Sequence, residues 1–140
     1  MRPNRSVHDN IVYAYSVDCE GRRLVLHTAF RDREPHEFTD VVFHEVVAHH
    51  FEHVLPGNIL FDVEEMDVAA LVKQNTKLLS DSWKYGWPDV EYRGDLTALV
   101  EALRAAARHG YLIRSSYGLS GWVLAGRCEW LPRTGPAALA

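Results

Sequence analysis

The stretch Val41–Val54, VVFHEVVAHHFEHV, constrains the fold more than any other part of the chain. It contains four of the eight histidines, two glutamates and a dense set of valines and phenylalanines. β-Branched and aromatic side chains suit a pleated surface, so we predict one long strand here. A helix is the alternative, and it would place His49 and His53 one turn apart on the same face.

The hexapeptide HEVVAH within this stretch does not fit the zinc-protease motif His-Glu-x-x-His. That motif puts two histidines one helical turn apart, with the glutamate acting as the base. Here Ala48 stands four residues after His44. The five-residue step to His49 rotates the side chain by roughly 140° around a helix. The spacing therefore excludes this class of metalloprotease.

The composition indicates one globular domain, because the 140 residues are 47% hydrophobic and 24% charged. A net charge of −4 gives no basic surface for nucleic acid. We expect no secretory signal, because no apolar run follows the first arginines, and no membrane span, because no stretch approaches about 18 apolar residues. Cys19 and Cys128 imply no disulfide framework, so we expect a cytoplasmic protein with reduced thiols that binds neither nucleic acid nor membrane.

The periodicity of apolar residues predicts the element order ββββααββ. The predicted strands are Asn10–Val17, Arg22–Phe30, Val41–Val54, Asn58–Glu64, Tyr111–Ser116 and Gly121–Trp130, and the helices begin after Asp67 and Asp95. Strands segregated from helices are typical of an α+β domain. We therefore predict a largely antiparallel sheet of about six strands with two helices packed on one face. This single domain would span residues 10–130, between a flexible N-terminus (1–9) and a flexible C-terminal tail (131–140).

Leu55-Pro56-Gly57 is a turn signal that predicts a hairpin between Val41–Val54 and Asn58–Glu64. In the register drawn from that turn, His49 lies opposite Asp62, close enough for a charge-assisted hydrogen bond. A slip of one residue would exchange the two faces of the hairpin.

The face that carries His49 and Asp62 would also carry Glu45, His53 and Glu64. Imidazole and carboxylate ligands together suit zinc and other divalent metals. One hypothesis is therefore a divalent-metal-binding protein or a metal-dependent enzyme at this hairpin. The other interpretation is a solvated sheet face with cross-strand pairs, in which the carboxylate raises the pKa of His49.

An aromatic loop follows the first helix, and it includes Tyr85, Trp87 and Tyr92. Trp and Tyr are enriched among the residues that dominate binding energy at interfaces. The loop is therefore a candidate surface for a protein partner or a small ligand. In the alternative interpretation its indoles cover the edge of the core.

The segments FTDVVFHEVVAHHFEHV, NILFDVEE and SSYGLSGWVLA resemble a family of small uncharacterised bacterial proteins, a domain of unknown function. That resemblance covers most of the chain and implies a single cytosolic domain without an assigned activity. The β-rich, aromatic and acidic composition is also loosely similar to immunity proteins that neutralise bacterial toxins. Because no catalytic constellation is complete, we expect a non-enzymatic protein-binding module, of the immunity type, that binds a partner protein or itself.

Overall fold

The computed structural model describes residues 6–89 and 91–139. Within those residues lie eight strands, three α-helices and a short 3-10 turn. They are β1 (Ile11–Asp18), β2 (Arg23–Phe30), β3 (Glu37–His44), β4 (Ala48–Glu52), β5 (Asn58–Met66), α1 (Val68–Gln74), α2 (Thr76–Ser82), the 3-10 turn (Trp83–Tyr85), α3 (Leu96–Ala105), β6 (His109–Tyr117), β7 (Ser120–Ala125) and β8 (Arg127–Arg133). The strands form one antiparallel sheet in the order β4-β7-β6-β5-β1-β2-β3-β8.

The predicted architecture of about six strands and two helices, in the order ββββααββ, is wrong. The long strand predicted over Val41–Val54 is bent into β3 and β4, and the last predicted strand is divided into β7 and β8. Glu45 has a φ of 54°, which takes the chain out of the strand conformation. The first predicted helix is divided at Asn75, whose side-chain amide donates to the carbonyl of Leu71 at 2.8 Å.

The two bends lie side by side and curve the sheet back towards itself. Across them, Gly126 N donates to His44 O at 2.8 Å and Val47 N donates to Leu124 O at 2.8 Å. β3 therefore pairs with β8, and β4 pairs with β7, along two bent strands. The curved sheet encloses a core of buried side chains, which includes Val12, Leu24, Leu26, Val41, Phe43, Leu60, Val63, Tyr111, Ile113 and Val123.

A second core lies between the helices and the outer face of β4 and β7. On β7, Trp122 and Leu124 face this second core, while the alternate residue Val123 faces the first. The helices contribute the buried side chains Val68, Leu71, Val72, Leu79, Leu99 and Leu103. Asp67 and Asp95 accept hydrogen bonds from backbone N–H groups in the first turns of α1 and α3, so both predicted N-caps are confirmed.

The predicted hairpin between Val41–Val54 and Asn58–Glu64 is also wrong. β4 pairs with β7, which places His49 opposite Val123, and β5 pairs with β1 and β6. Asn58 instead joins the segment that follows β4 to the residue before β7. Its Oδ1 accepts hydrogen bonds from Leu55 N and Leu119 N, both at 2.8 Å. The predicted antiparallel pairing of the first two strands is confirmed.

The two chain ends are described in part. Residues 1–5 of the N-terminus predicted to be flexible lie outside the described residues. At the other end, β8 runs to Arg133, and Ala137 N donates to the hydroxyl of Tyr13 at 2.9 Å. Among the described residues, no helix is long and apolar enough to cross a membrane.

Candidate functional site

A groove crosses the surface where the bend between β3 and β4 meets the helices. It consists of two adjoining cavities of about 520 and 240 Å³, which share Cys19, Arg22, Val46 and Val47. We call it the bend groove. One end is lined by His49 and Trp87, and the other by Leu99, Leu103 and Arg108. Sites for organic ligands typically have volumes of about 300–1,000 Å³.

Local backbone contacts build the floor of the bend groove. Val46 N donates to Arg22 O at 2.9 Å, which ties the bend to the turn between β1 and β2. Val46 packs against the core inside the sheet, whereas Val47 packs against the core under the helices. The bend thus anchors the groove to both cores, and a rigid floor lowers the ordering cost of binding.

Trp87 lies in the wall of the bend groove, held by an aromatic cluster. Its ring centroid is 5.7 Å from that of Trp122 and 6.5 Å from that of His50, and His50 stacks on Trp122 at 6.1 Å. Tyr92 is buried, and its hydroxyl donates to Leu79 O at 3.0 Å and also lies 3.3 Å from Trp87 O. Tyr92 therefore holds the loop in place and does not form part of its surface.

Tyr85, the third aromatic residue of the predicted binding surface, does not line the groove. Its side chain is 80% exposed, and the ammonium group of Lys84 sits 5.2 Å from its ring centroid. Of the three predicted aromatic residues, the structure therefore brings only Trp87 to the cavity.

The charged groups around the bend groove differ in how far they are neutralised. Arg108 Nη1 lies 2.9 Å from Glu45 Oε2, which forms an ion pair at one end of the groove. Asp18 accepts from Gly21 N at 2.8 Å. Arg22 and Arg23 form no ion pair with any residue in the described ranges, so their guanidinium groups are available to an anionic ligand.

His49 has a different electrostatic environment from the one that the sequence predicted. Burial lowers the pKa of His49 below its ordinary value, and the neighbouring charge of His50 lowers it further. The predicted increase, which depended on Asp62 as a cross-strand partner, is therefore wrong. At neutral pH, His49 presents an uncharged imidazole to the groove.

The other predicted metal ligands are dispersed over the molecule. Asp62 lies opposite Arg114 on β6, and Glu64 Oε1 is 3.1 Å from Arg114 Nη1. Glu45 pairs with Arg108, as described above, and His53 Nδ1 lies 3.9 Å from Glu52 Oε2. Among residues 6–89 and 91–139, no group of three or more His, Cys, Asp or Glu side chains is placed to hold a metal ion. The zinc-like site stays a prediction that the observed geometry does not support.

A second polar cluster lies on the outer face of β1, β2 and β3. His27 Nδ1 is 2.9 Å from Asp40 Oδ1, and His27 Nε2 is 3.4 Å from Ser16 Oγ. Arg133 Nη1 donates to the other oxygen of Asp40 at 3.2 Å. Sequence reasoning missed this cluster because His27 looked isolated within its strand. Knowing that β2 pairs with β3 would have revealed the cluster, because this pairing places His27 opposite Asp40.

Comparisons with protein-family models, curated proteins and solved structures found no match to this chain. The function is therefore inferred from the geometry of the bend groove and its surroundings.

Proposed function

We propose that this chain is a protein-binding module that takes an extended segment of its partner along the bend groove and the outer edge of β4. The observation that carries the proposal is the free edge of β4 beside the groove. Among the described residues, β4 pairs with β7 alone, so its other edge exposes unpaired backbone groups. Such an edge is a template for an added strand.

The side chains next to this edge support the same proposal. Among the described strands, β1 pairs with β5 only at Ile11 and Val12, so within that part of the chain the rest of its outer edge is unpaired as well. Tyr15 and Val17 are 40% and 39% exposed, although they lie opposite the buried residues Leu26 and Leu24. Side chains that face the inside of the curved sheet but remain partly exposed are the kind that an added strand would cover.

One aromatic contact joins β1 and β4 across the gap between their unpaired edges. The ring centroids of Tyr15 on β1 and Phe51 on β4 lie 5.4 Å apart, in an edge-to-face arrangement. A peptide strand beside β4 would extend this aromatic contact and bury both rings.

The bend groove gives the partner segment an anchor and a direction. Trp87 offers a flat apolar wall, and aromatic residues of this kind often dominate interface energies. Arg22 and Arg23, free of ion pairs among the described residues, suit an acidic residue of the partner and would steer its approach. An immunity-type role is one form of this proposal, with a toxin as the partner. Within the described residues Cys19 and Cys128 are not joined in a disulfide, which supports a cytoplasmic location as part of this proposal.

A small-ligand binder is the second candidate function. The larger cavity, about 520 Å³, falls within the ordinary range for such ligands and supports this candidate. The two candidates differ at β4, because a small molecule in the groove would leave the edge of that strand unpaired.

Selection from a library of random linear peptides tests the proposal. We expect enrichment of peptides that combine alternating apolar residues with an acidic residue. Their binding should be lost in Trp87→Ala and weakened in Arg22→Glu. Tyr85→Ala is the matched control, because it removes an aromatic side chain from the same loop outside the groove. The proposal fails if no peptide is enriched, or if the enriched peptides bind Trp87→Ala as well as the unmodified protein.

A further inference from the structure

We propose that Ser16 is a nucleophile activated by His27, and that it accepts acyl groups from small activated esters. Ser16 Oγ lies 3.4 Å from His27 Nε2, and His27 Nδ1 lies 2.9 Å from Asp40 Oδ1. A nucleophile next to a base that is oriented by a third group is the arrangement used in covalent acyl transfer. Ser16 does not line the bend groove, and the proposal does not depend on the proposed function.

Three neighbouring strands hold the three side chains on one face of the sheet. His27 on β2 lies directly opposite Asp40 on β3, and it lies opposite Ala14 on β1. Ser16, two residues after Ala14, is therefore a diagonal neighbour of His27 on the same face. His27 and Asp40 are buried whereas Ser16 is exposed, so the nucleophile is open to a substrate and its supporting pair is sheltered from water.

Arg133 holds Asp40 in place, and this arrangement determines which ring nitrogen of His27 carries the hydrogen. It donates to Asp40 Oδ2 at 3.2 Å, so both carboxylate oxygens are engaged. A carboxylate only accepts hydrogen bonds, so His27 Nδ1 carries the hydrogen in this pair. The lone pair of His27 Nε2 then faces the hydroxyl of Ser16, as a general base requires. Asp40 and Arg133 are thus positioning residues.

The reaction follows from these positions. Ser16 Oγ attacks the ester carbonyl carbon, and its proton passes to His27 Nε2. The bond to the leaving alcohol or phenol breaks, and His27 returns the proton to that oxygen, which leaves an acyl ester on Ser16. Water then cleaves this ester with His27 as the base, and the acid is released. The net reaction is ester plus water giving acid plus alcohol.

The surroundings of Ser16 limit the substrates. Beyond Val12, β1 pairs only with β2 among the described strands, so alternate N–H groups on its other edge are open to a developing oxyanion. A single N–H donor to the oxyanion contributes roughly 10²–10³ in rate, less than a site with several donors, so turnover should be slow. None of the cavities described above includes Ser16, so small esters with good leaving groups are the expected substrates.

Labelling with a fluorophosphonate probe tests this inference without requiring turnover. Ser16 Oγ would form a bond to phosphorus as fluoride leaves, and intact mass with peptide mapping should place a single adduct on Ser16. The adduct should disappear in Ser16→Ala and form more slowly in His27→Gln. Ser116→Ala, which removes another exposed strand serine, is the matched control and should label normally.

Labelling rates at the two serines separate activation from a purely structural role. In a folded His27→Gln protein, labelling of Ser16 should slow while any reaction at Ser116 keeps its rate, because Ser16 Oγ lies beside His27 Nε2. An unlabelled Ser16, equal labelling of Ser116, or an unchanged rate at Ser16 in His27→Gln would overturn the inference. The cluster would then be a buried cross-strand pair that stabilises the sheet.

Discussion

Replacing Phe43 with alanine tests whether the curved sheet has a close-packed interior. Phe43 is 0% exposed, lies in the core enclosed by the sheet, and contacts the ring of Tyr111 with a centroid distance of 5.5 Å. Removing a buried Phe side chain costs about 3–5 kcal/mol through lost transfer energy and the cavity left behind. The lost edge-to-face aromatic contact falls within that range.

The assay for Phe43→Ala is urea denaturation, together with thermal melting. With an unfolding entropy of about 2.1 cal/mol/K per residue, the 140 residues predict that Tm falls by roughly 10–17 °C. Phe61→Ala is the matched control, because Phe61 is 43% exposed on β5. Equal losses of stability in the two variants would refute the packing that we describe.

Three further predictions concern other parts of the fold. Asp95→Ala should cost about 0.5–2 kcal/mol of unfolding free energy in urea, since Asp95 accepts from two N–H groups of α3. Gly121→Ala should destabilise the protein in thermal melts more than Gly57→Ala, because a Cβ at Gly121 would collide with His50 O, whereas Gly57 is open. His49 has a lowered folded pKa, so its contribution to stability is present above about pH 6.5 and is lost as the pH falls through that lower pKa. Urea titrations of the His49→Gln variant should therefore show a weaker loss of stability in acid, and an unchanged pH dependence would contradict this assignment.

Local sequence signals predicted several elements well. The alternation in β1 and β2 predicted their antiparallel pairing, and the polar residues Asp67 and Asp95 predicted where α1 and α3 begin. These signals succeed because strand alternation and N-capping depend on neighbouring residues.

The bends could not be predicted because they depend on contacts between distant parts of the chain. Nothing in VVFHEVVAHHFEHV indicates that Glu45 takes a positive φ, since the bend forms opposite Gly126. That one bend changes the partner of β4 from β5 to β7, and so it moves His49 from Asp62 to Val123. The predicted metal site depended entirely on that pairing.

The candidate binding site was predicted only in part, for the same reason. Trp87 was selected because of its residue type, and it does line the bend groove. Arg22 and Val46 could not be associated with it, because the sequence predicted no strand order that would bring them together and the hydrogen bond between their backbones forms at the bend. The Ser16–His27 contact likewise requires the register of β1 against β2 to be known within one residue.

Hydrogen–deuterium exchange on the protein with and without a library-selected peptide tests the central claim most directly. If the partner segment adds to the edge of β4, amides of Ala48–Glu52 should exchange more slowly in the complex. β8 is the internal control, since among the described strands it pairs with β3 alone, and its exchange should not change. Slower exchange at β8 or elsewhere, with β4 unaffected, would contradict the account.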